Sequence, residues 1–169
     1  MKIFAITFLT LAFAAAAFSQ TSLKVGEIAP AFSAVSQDGT NFDLNSLRGS
    51  VVVMTFWSTK CEICHSEFPK LNRVVKNFDG KKVVFLSLTM ENEAKVGSYL
   101  KNTRLDTQIL PNSFGILLQY ADRDKSGNLD MGFPSYVVIN DTGSIAYRSS
   151  GYNKTDSLNT VVTRLVSKL

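Results

Sequence analysis

Apolar residues follow two different rhythms along the chain, and each rhythm predicts an element. Positions 51–57, VVVMTFW, are continuously apolar and rich in β-branched residues, the pattern of a strand buried on both faces. KVVFLSLT at 82–89 repeats it and predicts a second buried strand. Between them Phe68, Leu71, Val74, Val75 and Phe78 recur at helical spacing until Asp79-Gly80 stops the period, so a helix is expected to follow the C-x-x-C at 61–64. A weaker helical pattern spans Glu91 to Asn102, with Ala94, Tyr99 and Leu100 as its core contacts. Thr107 to Leu110 reads as a short strand, and Ser113 to Ala121 as a short helix. The stretch between Ala121 and Phe133 is polar and reads as a loop. SYVVIN and SIAYRSSG then flank Asp141-Thr142-Gly143 as a hairpin, and Leu158, Val161, Val162, Leu165, Val166 and Leu169 form one face of a closing helix. Upstream, VGEIAPAF reads as an entry loop, and QDGTNFDL as short strands around Asp38-Gly39. Strands alternating with helices, then a hairpin and a helix, predict a three-layer α/β domain with a mixed central sheet.

The first residues change the picture of where such a domain works. Met1-Lys2 followed by IFAITFLTLAFAAAAFS has the basic start, apolar run and small-residue exit of a secretory signal peptide, expected over 1–19, with one domain over 20–169. Ile3 to Phe18 is short for a membrane span of ~20 apolar residues, and no cysteine lies near its exit to carry a lipid. A periplasmic or secreted protein is the expectation, and a monomer. The net charge of +4 is modest and its lysines and arginines are scattered, which argues against nucleic acid as a partner.

The chain has two cysteines and one histidine, and all three fall in CEICH at 61–65. A C-x-x-C-H can attach a c-type haem, and a C-x-x-C can be a redox dithiol. As a dithiol the pair has a clear division of labour. Cys61, between a strand and a helix N-terminus, meets unpaired N–H groups that favour its thiolate, so it is the expected nucleophile. Cys64, one turn later, can displace a mixed disulfide and is the expected resolving thiol. Glu62 opposes thiolate formation and leans the pair toward a lower potential, while a protonated His65 would act the other way.

FWSTKCEICHSEFPKLN resembles the active-site segment of the TlpA/ResA-like branch of the thioredoxin superfamily, with Trp57, Cys61, Cys64, Glu67 and Pro69 at matching positions. MGFPSYVVINDTGSIAYRSSGY resembles the segment that carries that family's cis-proline, which falls on Pro134, and VGEIAPAFSAVSQDGTNFDLNSLRG resembles its opening. The resemblance implies a thioredoxin-like fold with an N-terminal extension and a central insertion, and a thiol–disulfide oxidoreductase acting on disulfide-bearing exported proteins. It further implies a membrane thiol reductant as partner and no metal or organic cofactor. Its substrate surface would comprise Trp57, Lys60, Glu62 and Ile63 around the dithiol, and Phe133, Pro134 and Ser135 opposite. Family members include reductants of the cysteines in c-type apocytochromes, so C-x-x-C-H is a candidate target as well as a motif here. Pro69 falls inside the predicted helix and should kink it. Lys60 and Glu62-Ile63 stand where thioredoxin has Trp and Gly-Pro, and Thr55 replaces its buried aspartate. The resemblance offers Glu91, just after the second strand, as the carboxylate that manages the Cys64 proton, with a raised pKa as the requirement.

Four other readings stay open at this point. Haem could use His65 with Met54, Met90 or Met131 as axial ligands. A peroxiredoxin shares the AP-x-F opening, but TFWSTKC lacks its proline, and Thr59 sits two residues before Cys61 rather than three. The fold could also serve as a binding module without redox chemistry. DRDKSGNLD, from Asp122 to Asp130, resembles most of a calcium loop whose closing glutamate is replaced by Phe133.

Overall fold

β3 (Val51–Phe56) has all six residues buried, as its apolar run predicts, and it is the central strand of a five-stranded sheet. The structure is a computed structural model and describes residues 22–169. The proposed leader at 1–19 lies outside the described residues. β3 pairs in parallel with β4 (Val83–Leu88), which pairs in parallel with β5 (Gln108–Leu110). On its other side β3 runs antiparallel to β8 (Ser135–Ile139), whose hairpin partner β9 (Ile145–Ser150) completes the order β5-β4-β3-β8-β9. The mixed sheet is therefore as expected. A two-stranded ribbon, β1 (Ser33–Val35) and β2 (Asn41–Asp43), precedes it, followed by a single 3-10 turn at Leu44–Leu47 capped by the Asp43 carboxylate.

Alternation along β3 separates two cores. Val52, Met54 and Phe56 face Leu44, Ile116, Leu117 and Tyr120, the last three on α3 (Phe114–Tyr120). Val51, Val53 and Trp57 face Phe68, Leu71 and Val74 of α1 (Glu62–Asn77), Val96 of α2 (Glu93–Leu100), and Leu158 and Val162 of α4 (Thr155–Val166). Helices on both faces of one sheet make the three layers, and the architecture is thioredoxin-like. No described helix is long and apolar enough to cross a membrane.

Two local expectations are corrected. α2 begins at Glu93, and its buried residue is Val96 rather than Ala94, which is exposed; Asn92 caps the helix by accepting from Lys95 N at 3.0 Å. The polar stretch before Phe133 is not loop throughout. It forms a ribbon of β6 (Asp122–Arg123) and β7 (Leu129–Asp130), turned by the Asp124 carboxylate, which accepts from Ser126 N, Asn128 N and Asn128 Nδ2. Asp122 pairs with Arg148 at 2.9 Å. Two of the three carboxylates a calcium loop would aim inward, Asp122 and Asp124, are thus engaged within the protein, and among the described residues no cluster of three or more ligating side chains exists.

Candidate active site

The site is built where β3 hands over to α1. Trp57 N–H still donates to Leu88 O at 3.1 Å, so the strand register is held to the last residue before the turn. Ser58 to Lys60 then reverse the chain, closed by Cys61 N–H to Ser58 O at 3.0 Å. Cys61 is the N-cap of α1: its backbone is extended and its Sγ accepts from Cys64 N–H at 3.1 Å. The Cys64 N–H of the first helical turn is thus aimed at the outer sulfur, which favours negative charge there. Cys61 and Cys64 form a disulfide with their Cα atoms 5.2 Å apart. Cys64 is fully buried, whereas Cys61 is partly exposed, so an incoming sulfur meets Cys61. With the two sulfurs bonded to each other, neither is placed to hold a haem thioether. His65 does not project as a free ligand: its ring lies 4.9 Å from Tyr99 and 6.0 Å from Phe68, and its Nε2 is buried without a partner.

Glu91 follows β4 and reaches the turn before Cys61, but its chemistry is the reverse of that expected. Its carboxylate accepts from Thr59 N at 2.8 Å, Thr59 Oγ1 at 2.6 Å, Ser58 Oγ at 3.2 Å, Thr89 Oγ1 at 3.0 Å and Lys95 Nζ at 2.8 Å. Burial alone would raise its pKa. The donors outweigh burial, Lys95 first, then the Thr59 hydroxyl, the Thr59 N–H and Thr89, and hold it at about 2, below the ordinary 4.5. Its contacts tie down the Ser58–Thr59 turn, and its pKa is shifted down, opposite to the raised value expected for proton transfer at Cys64. Trp57 also departs from its expected part. It is completely buried, packed edge-on to Phe68 at 5.3 Å and tilted against Tyr99 at 5.5 Å, so it supports the dithiol from beneath instead of touching substrate.

The carboxylate that sequence reasoning passed over is Glu67. It is one turn below Cys64 on α1, 1% exposed, with Oε1 paired to Lys70 at 2.8 Å and Oε2 buried with no partner. Its negative charge adds to burial in pushing the Tyr136 hydroxyl well above the ordinary tyrosine range, which places it against β8. A signal was available: positions 64, 67, 68 and 71 share one helical face, and a charged residue inside that apolar stripe needs a reason.

Of the remaining expected contacts, Lys60, Glu62 and Ile63 are exposed around Cys61. Pro134 heads β8 behind a cis Phe133–Pro134 peptide, and Ser135 pairs with Phe56 at the end of β3, so this segment sits at the same edge of the sheet as the dithiol. Phe133 is half-buried and touches both cores, Pro134 and Ser135 are buried, and Pro134 O accepts from Gly151 N at 2.8 Å. Pro69 lies within α1 without ending it.

A dithiol capping a helix, opposite a cis-proline strand on a mixed sheet, is an arrangement that known proteins can be asked to match. A family profile for Redoxin matches residues 24–165, nearly the whole described chain. The chain belongs to the Redoxin family. Within it the chain is a TlpA/ResA-like member of the thioredoxin superfamily. It is similar to the thiol-disulfide oxidoreductase ResA of Bacillus subtilis, 27% identical over 126 residues that cover 73% of this chain and 66% of ResA. It is also similar to the thioredoxin-like protein YneN of Bacillus subtilis, 26% identical over 129 residues, covering 75% of this chain and 71% of YneN. A ResA from Bacillus cereus is 30% identical over 80 residues, and there the chain spans 46% of its relative's length. Among solved structures, a thiol:disulfide interchange protein from Chlorobium tepidum superposes with a TM-score of 0.70 at 22% identity, covering 86% of this chain and 99% of that one. These relatives support oxidoreductase activity for this Redoxin chain, and the C-x-x-C disulfide is the group to carry it.

Proposed function

We propose that this chain is an exported thiol–disulfide oxidoreductase that reduces or exchanges disulfides of extracytoplasmic proteins. The observation that carries the reading is the partly exposed residue Cys61 at the N-terminus of α1, its sulfur bonded to that of a fully buried Cys64. In the reduced protein the Cys61 thiolate attacks one sulfur of a substrate disulfide and expels the other as a thiolate, which takes a proton from water, leaving a mixed disulfide. Cys64 gives up its proton and attacks Cys61 Sγ. The second substrate sulfur leaves, and the protein is oxidised by two electrons as the substrate is reduced. Glu67, with a free buried oxygen one turn from Cys64, is the proton acceptor in place of Glu91.

Substrate lies across the exposed Lys60, Glu62 and Ile63 and along Phe133 to Ser135. A pocket of about 200 Å³, lined by Asp122, Asp130, Gly132, Ser135 and Arg148, continues that surface under the β6–β7 ribbon. Export rests on the leader-like residues 1–19, a membrane thiol reductant on the family resemblance, and the monomer on the sequence reading. Glu62 beside Cys61 leans the pair toward reduction.

Trapping tests the reading. A Cys64→Ser variant expressed with its leader should accumulate mixed disulfides through Cys61, and a Cys61→Ser/Cys64→Ser variant should accumulate none. Absence of adducts from the single variant would overturn it. A potential near about −120 mV, that of strong oxidants, would reverse the proposed direction.

A further inference from the structure

Lys70 is held by more contacts than an ordinary surface lysine. Its Nζ is 2.8 Å from Glu67 Oε1, stands 4.6 Å from the centroid of the Tyr152 ring, and donates to Asn153 Oδ1 at 3.4 Å. Tyr152 and Asn153 belong to the connection between β9 and α4. The residue before them, Gly151, is bonded to the carbonyl of Pro134. One ammonium therefore joins the buried carboxylate beneath Cys64 to the segment that forms the opposite side of the site.

We propose that Lys70 is a positioning residue for the dithiol. It holds Glu67 with Oε1 engaged and Oε2 free toward the buried side, and its charge offsets the carboxylate so that a thiolate one turn away is tolerated. The proposal rests on the oxidoreductase reading and on Glu67 as the proton acceptor. The pair differs from an exposed i,i+3 salt bridge, whose worth is small, because Glu67 is 1% exposed and Lys70 29% exposed. Removing the ammonium leaves a buried anion without its counter-ion. That anion opposes a second negative charge at the dithiol and so disfavours the reduced pair relative to the disulfide. The Tyr152 ring adds a cation–π contact that keeps the ammonium over the pair.

The test is the equilibrium of the full mature protein with glutathione, together with the pH at which thiolate absorbance develops. Lys70→Met should move the equilibrium about tenfold toward the disulfide, equivalent to about 30 mV more negative, and move thiolate formation to higher pH. Lys70→Arg should restore both to within about twofold of the starting protein, a rescue that follows from retained charge. Tyr152→Leu leaves the ion pair in place and should shift both readouts in the same direction by a smaller factor, which keeps the test open if Lys70→Met does not fold. In a Glu67→Gln background Lys70→Met should add nothing, because its effect runs through that carboxylate. Unchanged equilibrium and thiolate pH in Lys70→Met or, where it does not fold, in Tyr152→Leu, with Glu67→Gln altered, would overturn the role of Lys70 and leave Glu67 standing. An equal Lys70→Met shift with and without Glu67 would overturn the route through Glu67. Unchanged readouts in Glu67→Gln itself would overturn the proton-acceptor reading on which the proposal rests.

Discussion

Replacing Glu91 by Gln separates a clamp from a proton carrier. The substitution keeps one acceptor oxygen but replaces the other with an NH2 group facing Thr59, Ser58 and Lys95, which are all donors. Its magnitude follows from linkage. A carboxylate that titrates at about 2 in the folded protein and near 4.5 when free stabilises the fold by ~3 kcal/mol at neutral pH, at about 1.4 kcal/mol for each pH unit between the two values. Lys95 is 46% exposed and Glu91 13% exposed, so solvent screening reduces this to about 2 kcal/mol. Because the folded value is the lower one, the stabilisation is fully present above pH ~4.5 and is lost as pH falls through ~2.

Urea denaturation of both proteins across that range is the assay. Glu91→Gln should be less stable by about 2 kcal/mol near neutrality, and the gap should narrow steadily below pH ~4.5 until the two curves meet. Disulfide exchange by the folded variant should persist, slowed only through looser placement of Cys61. A stability gap independent of pH would refute the clamp. So would NMR titration of Glu91 near neutral pH, which would return it to the proton-carrying role that its position in sequence invites.

Trp57→Ala should cost about 3–5 kcal/mol, because the ring is completely buried against Phe68 and Tyr99; a loss under ~1 kcal/mol in urea denaturation would show that the dithiol does not stand on this ring. Shortening the β6–β7 turn at Asp124 to Asn128 should change which proteins are trapped by Cys64→Ser and leave the dithiol potential where it was. A changed potential with an unchanged set of adducts would contradict the placement of that ribbon in the substrate surface.

The fold was legible wherever burial is continuous. β3 and β4 announce themselves because strands covered on both faces need no polar residue, and α1 because its stripe is apolar over most of its length. α2 was misjudged by two residues at its start and by its core contact. A helix of two turns that lays one valine into the core leaves almost no period to read. The β6–β7 ribbon was invisible for a different reason. It is held by side chain to backbone bonds from Asp124 and by Arg148 reaching Asp122, and neither leaves a hydrophobic pattern.

The opposite pKa direction at Glu91 has a physical explanation too. Glu67 and Glu91 both lie within reach of the turn and helix that carry the cysteines, and position along the chain does not rank them. What ranks them is how their oxygens are used. Glu91 faces five donors, more than the roughly four acceptor sites of a carboxylate, so taking up a proton would break the contacts that set the turn before Cys61. Glu67 spends one oxygen on Lys70 and keeps the other buried and unmatched, so a proton on that second oxygen breaks no contact. Two carboxylates in one site are thereby driven to different tasks by their neighbours. On the proposed mechanism the dithiol uses both: the Glu91 carboxylate to hold the approach to Cys61, and the lysine-paired Glu67 to serve Cys64.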